Sequence, residues 1–299
     1  MLFPKIHYGQ APNLGTTANF VLFTSSGAVG NTGTSSFKGD IGTNNGAITG
    51  FSTSIVYDGS FYNADSITQR AKKDLDTAYS QLSNTTATNT THAAAFGSGE
   101  TITTGVYSVA GAGSVAGSLT LDAEGNPSAV FILKFGGAFT TGASTTIILT
   151  NGAIAANVFW LAEGAIAMGA STKMKGTLIA NNAAISMATG GNLEGRMLST
   201  TGAVAFGPGS AYKPGTTITN IPLNYCCVLR STANFVMFTS NGAVGNTGTS
   251  TITGNIGTHN GATTGFGTST VNGSFYNGDY TTQRAKKDLD TAYSQLSIC

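Results

Sequence analysis

The apolar positions of this chain show a short period before they show any chemistry. Ala28-Val29 and Ala47-Ile48 lie nineteen residues apart, and Ala165-Ile166, Ala184-Ile185 and Ala203-Val204 repeat that spacing later in the chain. Around each pair stand small residues and turn formers: "WLAEGAIAMGASTKMKG", "LIANNAAISMATGGNLEG" and "LSTTGAVAFGPGSAYKP" stack in register, and the opening "SSGAVGNTGTSS" stretch has the same spacing, so both parts belong to one architecture. "FGGAFTTGASTTIIL" fits the same template one coil earlier, with a longer insertion after it. A fixed short period of this kind predicts a mainly β fold, a parallel β-solenoid whose coils bury their apolar side only by stacking on neighbours. Coils of about nineteen residues suit three short strands joined by tight corners, with glycine supplying the positive φ angles. The competing fold, an antiparallel β-sandwich, would space its strand pairs less regularly.

A second period interrupts the first. In "NADSITQRAKKDLDTAYSQLS", Ile67, Ala71, Leu75, Ala78 and Leu82 fall on one face at helical spacing, with Arg70, Lys72, Lys73, Asp74 and Asp76 elsewhere. This predicts one long α-helix over about residues 64–83, packed along the side of the solenoid, with Asn63 or Asp65 as its cap. On a larger scale, residues 17–83 return almost verbatim as 232–297, about 215 positions later. The expected organisation is an N-terminal segment (1–16), a complete solenoid domain (17–215), a linker (216–231) and a partial second copy (232–299) holding opening coils and helix.

Composition narrows the function classes. Only 9% of residues are charged, and 14 basic residues stand against 13 acidic ones, for a net charge of +1. Nucleic-acid binding needs a clustered basic surface, so no nucleic-acid partner is expected. Disorder is excluded by a 40% hydrophobic content at near-zero net charge. No apolar run reaches the length of a membrane span, so no membrane insertion is expected, and "MLFPKIHYGQAPN" lacks the features of a secretory leader. Cys226, Cys227 and Cys299 have no zinc-type spacing and are candidates for a disulfide or a free thiol.

No catalytic constellation emerges. His7, His92 and His259 are scattered, so neither a metal site nor a cofactor is expected. Glu100, Asp122, Glu124, Glu163 and Glu194 are isolated, where solenoid hydrolases and lyases group their acid/base residues. Trp160 follows Phe159 in an apolar strand and reads as core. The expectation is a protein that is not an enzyme.

What recurs instead is Thr and Ser among small residues, as in "TTGASTT", "MGAST", "MATGGN", "NTGTSS" and "GFSTS". Stacked coil over coil, such positions give an array of hydroxyls and methyls about 4.8 Å apart between coils and about 6.6 Å apart along a strand. A regular crystal surface is the natural partner for such a lattice. The candidate contact residues are Thr32, Thr34, Thr53, Thr141, Ser144, Thr145, Ser171, Thr172, Thr189 and Asn192. Thr is also simply a good strand-surface residue, which is the plainer account of the same pattern.

The long ordered pattern from "TANFVLFTSSGAVGNTGTSSFKGDIGTNNGAITGF" through "GSFYNADSITQRAKKDLDTAYSQL" to "NVFWLAEGAIAMGASTKMKGTLIA" and "GNLEGRMLSTTGAVAF" resembles the microbial ice-binding proteins with a discontinuous β-solenoid and a flanking helix. The resemblance covers residues 17 to about 213, with the partial copy from 232. It implies a right-handed triangular solenoid, secretion to the extracellular space or cell surface, and adsorption to an ice crystal through a flat Thr/Ser/Ala-rich face. Thr189-Gly190-Gly191-Asn192 fits the Thr-Ala/Gly-X-Thr/Asn step of that family, whereas Thr141-Gly142-Ala143-Ser144 and Thr32-Gly33-Thr34-Ser35 depart at the last position. The alternative is a structural or adhesive protein, a filament or surface layer, in which self-association through the partial copy completes it.

Overall fold

The computed structural model describes residues 11–215 and 229–296. Two compact units divide the chain, Met1–Thr216 and Thr217–Cys299. Cys226, Cys227 and Cys299, and most of the expected linker, lie outside the described residues.

Unit 1 is a solenoid of parallel strands in which each coil contributes to three ladders. The first ladder runs Gly105–Val109, Phe131–Phe135, Val158–Ala162, then the second halves of Lys173–Ala180 and Gly191–Ser199, then Phe20–Thr24, Asp40–Thr43 and Phe61–Asn63. The second runs from Ala95–Gly97 through Gly113–Ala116, Phe139–Thr141, Ile166–Met168, Ile185–Met187 and Val204–Phe206 to Val29–Asn31 and Ile48–Thr49. The third joins Glu100–Thr103, Ser118–Asp122, Thr146–Thr150, the first halves of the two long strands, Gly209–Tyr212, Ser36–Lys38 and Ile55–Tyr57. The nineteen-residue spacing is realised directly, since Ile166 pairs with Ile185 and Ile185 with Val204.

Stacking order departs from chain order. The coils made first sit beyond the coils made last, and all three ladders cross this seam in register, at Leu22 with Met197, Val29 with Val204, and Ser36 with Ser210. The buried Arg196 clamps it, donating from Nε and Nη2 to the Ala18 carbonyl at 3.1 and 2.9 Å and from Nη1 to Thr177 Oγ1 at 3.2 Å. Burial pulls the guanidinium pKa down to about 10, so the charge persists at neutral pH.

Helix α1 (Ser66–Asn84) connects the two stretches of coils. Its 19 residues span about 28 Å, close to the roughly 34 Å of seven inter-strand steps, so it carries the chain back along the stack. Asp65 caps it, accepting from Thr68 N at 2.8 Å, while Thr68 Oγ1 accepts from Asp65 N at 2.9 Å. Thr68, Ala71, Leu75, Ala78 and Leu82 form the buried face, and Ile67, expected there, is 38% exposed because the polar Thr68 occupies the capped first turn. The helix packs on Phe20, Phe23, Ile132, Phe159, Leu161, Ile179 and Leu198. Phe20–Thr24 and Val158–Ala162 are therefore buried on both sides, which is why "FVLFT" and "VFWLA" lack an alternating polar face. At the far end, Lys134 Nζ donates to the Ser83 and Thr85 carbonyls at 3.2 and 2.6 Å, matching a cation to the helix C-terminus.

Tyr79 ties the helix to the solenoid: its hydroxyl donates to Glu163 at 2.7 Å and accepts from Asn181 Nδ2 at 2.8 Å. Burial, then the Glu163 hydrogen bond and charge, push its pKa up to about 12 from 10.0. A raised tyrosine pKa means the neutral form favours folding, so the contribution is complete below pH 10 and is lost as pH rises toward 12. Arg196 and Lys134, both lowered by burial, act in the opposite direction, so the Tyr79 contribution is read as a difference: between pH 9 and 11 the urea midpoint of the parent is expected to fall relative to that of Tyr79→Phe, with Tyr107 and Tyr212, also raised by burial, common to both proteins. An unchanged slope in Tyr79→Phe would contradict this assignment.

Unit 2 repeats the opening elements. Phe235–Thr239, Asn255–Thr258 and Phe275–Asn277 form one ladder, two short pairs form the others, and α2 (Tyr280–Leu296) follows. Among the described residues Phe235–Thr239 pairs on one side, whereas Phe20–Thr24 pairs on two, and Val236 is 53% exposed where the matching Val21 is fully buried.

Candidate functional site: the outer face of the second ladder

Second-ladder strands are buried toward the coil interior and open on the other side, because α1 covers the first ladder alone. The two-residue alternation decides what each side shows. In "AIAM", "AISM" and "AVAF", the Ile, Val, Met and Phe positions point inward and the residues between them point outward.

One outward column runs Ala95, Ser114, Thr140, Ala167, Ser186, Ala205, Gly30 and Thr49, each paired with the next. A second is Ala165, Ala184, Ala203, Ala28 and Ala47, all exposed. Backbone hydrogen bonds hold that column in register, Ile166 N to Ala184 O at 3.0 Å, Ile185 N to Ala203 O at 2.9 Å and Val204 N to Ala28 O at 2.9 Å. Both columns cross the seam. The face carries only Ala, Ser, Thr and Gly at these positions, with no charge in any of the eight strands.

The sequence-derived candidates fall elsewhere. Thr141, Thr145 and Thr172 are 7, 0 and 0% exposed and cannot touch an external surface. Their hydroxyls pair the carbonyls that the corners leave open: Thr145 Oγ1 donates to Gly142 O at 2.9 Å, Thr172 Oγ1 to Gly169 O at 2.7 Å, and Thr141 Oγ1 meets Thr172 Oγ1 at 3.0 Å and accepts from Gly169 N at 3.0 Å. Asn31, Ser35 and Ser54 do the same work three coils on from Thr172. Thr32, Thr34, Thr53, Ser144, Ser171 and Thr189 are exposed, but in the turns that lead from the second ladder to the third. Asn192 lies on the third ladder and donates to Ser210 Oγ at 2.8 Å. Thr140, Ala167, Ser186 and Ala205, which the sequence pattern did not single out, form the outward column and each stand one position from an inward residue. Their signal was present: the Ala before each Ile and the small residue after it.

The third ladder offers the contrast. Over its later coils one outward column runs Lys175, Glu194, Tyr212, Lys38 and Tyr57, and the other runs Lys173, Asn192, Ser210, Ser36 and Ile55. Lys175 Nζ and Glu194 Oε2 form an ion pair at 2.7 Å, and Lys38 Nζ lies 5.6 Å from the Tyr57 ring centre. Among the described residues no group of His, Cys, Asp and Glu is placed to hold a metal, and no helix is long and apolar enough to cross a membrane.

Comparison with known proteins places this geometry. The family model described as ice-binding-like matches residues 23–208. The ice-binding protein of Nostoc sp. (strain HG1) is 35% identical over 193 residues, 64% of this chain and 70% of that protein. The crystal structure of an ice-binding protein from an Antarctic Flavobacteriaceae bacterium is 42% identical, with a TM-score of 0.66 over 97% of this chain and 68% of that one. That of the Antarctic ascomycete Antarctomyces psychrotrophicus is 32% identical, with a TM-score of 0.66 over 69% of this chain and the whole of that one. A discontinuous three-ladder solenoid, a helix along its first ladder and a family match across most of unit 1 converge: the chain belongs to the non-enzymatic ice-binding-like family.

Proposed function

We propose that this protein binds ice through the outer face of the second ladder, and that it does so outside the cell. The carrying observation is the pair of uncharged small-residue columns running unbroken over the coils of unit 1. Ice is an extended repeating solid, so affinity must be the sum of many weak contacts in register. One bulky or charged side chain would hold the others off, and none stands in these columns. Methyls and hydroxyls repeating at about 4.8 Å between coils can hold a water layer in order, while charges would impose their own hydration.

The test is the gap between melting and freezing points, with crystal shape, for the whole chain and for Ala167→Tyr. Ala167 is exposed at the middle of the face, so tyrosine folds without strain but stands above the plane. The gap is expected to collapse and crystals to lose their facets, while Lys38→Ala on the third ladder behaves like the parent. Equal thermal melts would show that folding is intact. A parent without a gap, or an Ala167→Tyr protein that keeps all of it, overturns the reading.

A further inference from the structure

The third ladder changes character along its length. Its later coils carry lysine, glutamate and tyrosine, but its first three strands present Thr101 and Thr103, then Ser118 and Thr120, then Thr146, Ile148 and Thr150. Between them Ile102, Leu119, Leu121 and Ile147 point inward and are buried. We propose that this threonine patch is a second ice-contacting surface, separate from the second-ladder face and meeting it at an edge of the coil. The proposal rests on the reading that the protein binds ice.

Register makes the patch a lattice. Thr120 pairs with Thr101 on one side and Ile148 on the other, Ser118 with Thr146, and Asp122 with Thr103 and Thr150, without a shift over either pairing. Outward side chains thus repeat at about 4.8 Å across strands and about 6.6 Å along them. Thr101 and Thr103 are exposed, and Ile148, 39% exposed, adds an apolar side chain among the hydroxyls. The hydroxyls of Thr146 and Thr150 reach backbone carbonyls only at 3.5 and 3.4 Å, which leaves them free to turn toward bound water. Charge stands only at the margins, in Asp122, held by Asn151 at 2.9 and 3.0 Å, and in Lys173, paired with Thr146.

Strand propensity alone does not explain the patch, since the same ladder sets Lys173 beside Thr146 and carries Lys175 and Glu194 in the next column as soon as the long strands begin. Nor can the patch and the second-ladder face seat on one flat plane, because the turns at 98–99, 117 and 142–145 separate them. Two faces of one rigid body then meet two different planes of the crystal.

The experiment grows a single ice hemisphere from a solution of the fluorescently labelled full chain and records which planes light up. The parent is expected to mark two families of planes, Thr120→Lys to lose one, Ala167→Tyr to lose the other, and the double variant to lose both. Thr101→Lys, at the exposed end strand, repeats the first test should Thr120→Lys fail to fold. A pattern unchanged by both lysine variants overturns the second surface, as does complete loss of labelling in Ala167→Tyr alone. Labelling that survives Ala167→Tyr but not Thr120→Lys instead removes the second-ladder reading and leaves this one standing.

Discussion

Trp160→Ala is expected to destabilise unit 1 by about 3–5 kcal/mol. The side chain is fully buried on a first-ladder strand, with its ring stacked on Phe139 at 5.1 Å and 17°, and Phe139 stacked in turn on Phe135 at 4.7 Å and 13°. Its Nε1 donates to the Lys175 carbonyl at 2.9 Å. Alanine removes the indole, ends the aromatic stack and takes the donor from the part-buried Lys175 carbonyl. Collapse is blocked, because Leu133 and Leu178 flank the position on the neighbouring coils and the backbone ladder fixes their separation. Urea denaturation followed by circular dichroism checks this; tryptophan fluorescence is lost with the only Trp. A change below about 1 kcal/mol would mean the coil interior can refill, contrary to the close packing described.

Gly195→Ala is expected to destabilise by about 3 kcal/mol without removing a single side-chain atom. Gly195 lies where the long strand Gly191–Ser199 turns from the third ladder into the first, paired with Gly176 on the coil beside it. A Cβ there would sit 1.9 Å from the Gly176 carbonyl oxygen and 2.8 Å from Leu193 Cδ1. Backbone cannot move aside as a flexible side chain can, since the same carbonyl belongs to the ladder. Gly111 is the control: a Cβ there meets nothing within 4 Å, so Gly111→Ala should leave the urea midpoint unchanged or slightly raised. Equal effects at the two glycines would show that close approach of coils at the corners is not limiting.

Much of this architecture was written in the periodicity. Ala-Ile and Ala-Val pairs at nineteen-residue spacing fixed the coil length because stacked strands must repeat their inward residues in register. The helix was legible because its apolar face has its own period. Stacking order was not, since nothing local distinguishes Val204 beside Val29 from Val204 beside a following coil. Thr141, Thr145 and Thr172 read as surface residues for a related reason, although they are buried. A shift of one residue exchanges inside for outside, and Thr140 and Thr141 are chemically identical neighbours with opposite fates. Threonine serves both as a surface residue and as a buried partner for corner carbonyls, so its frequency marks the coil without marking the face.

The crossing of the seam has a temporal side. In a solenoid stacked in chain order, each coil finds its support in the coil just synthesised, and folding spreads by nearest neighbours. Here Phe20–Thr24 receives one of its two partners from Gly191–Ser199, some 170 residues downstream, and contacts so distant in sequence slow folding. The opening coils and α1 must therefore wait, half supported, until the final coil arrives to close against them. Closure joins beginning to end in one cooperative step, and a nascent chain halted before Gly191 would be left with the apolar edge of its first coil open.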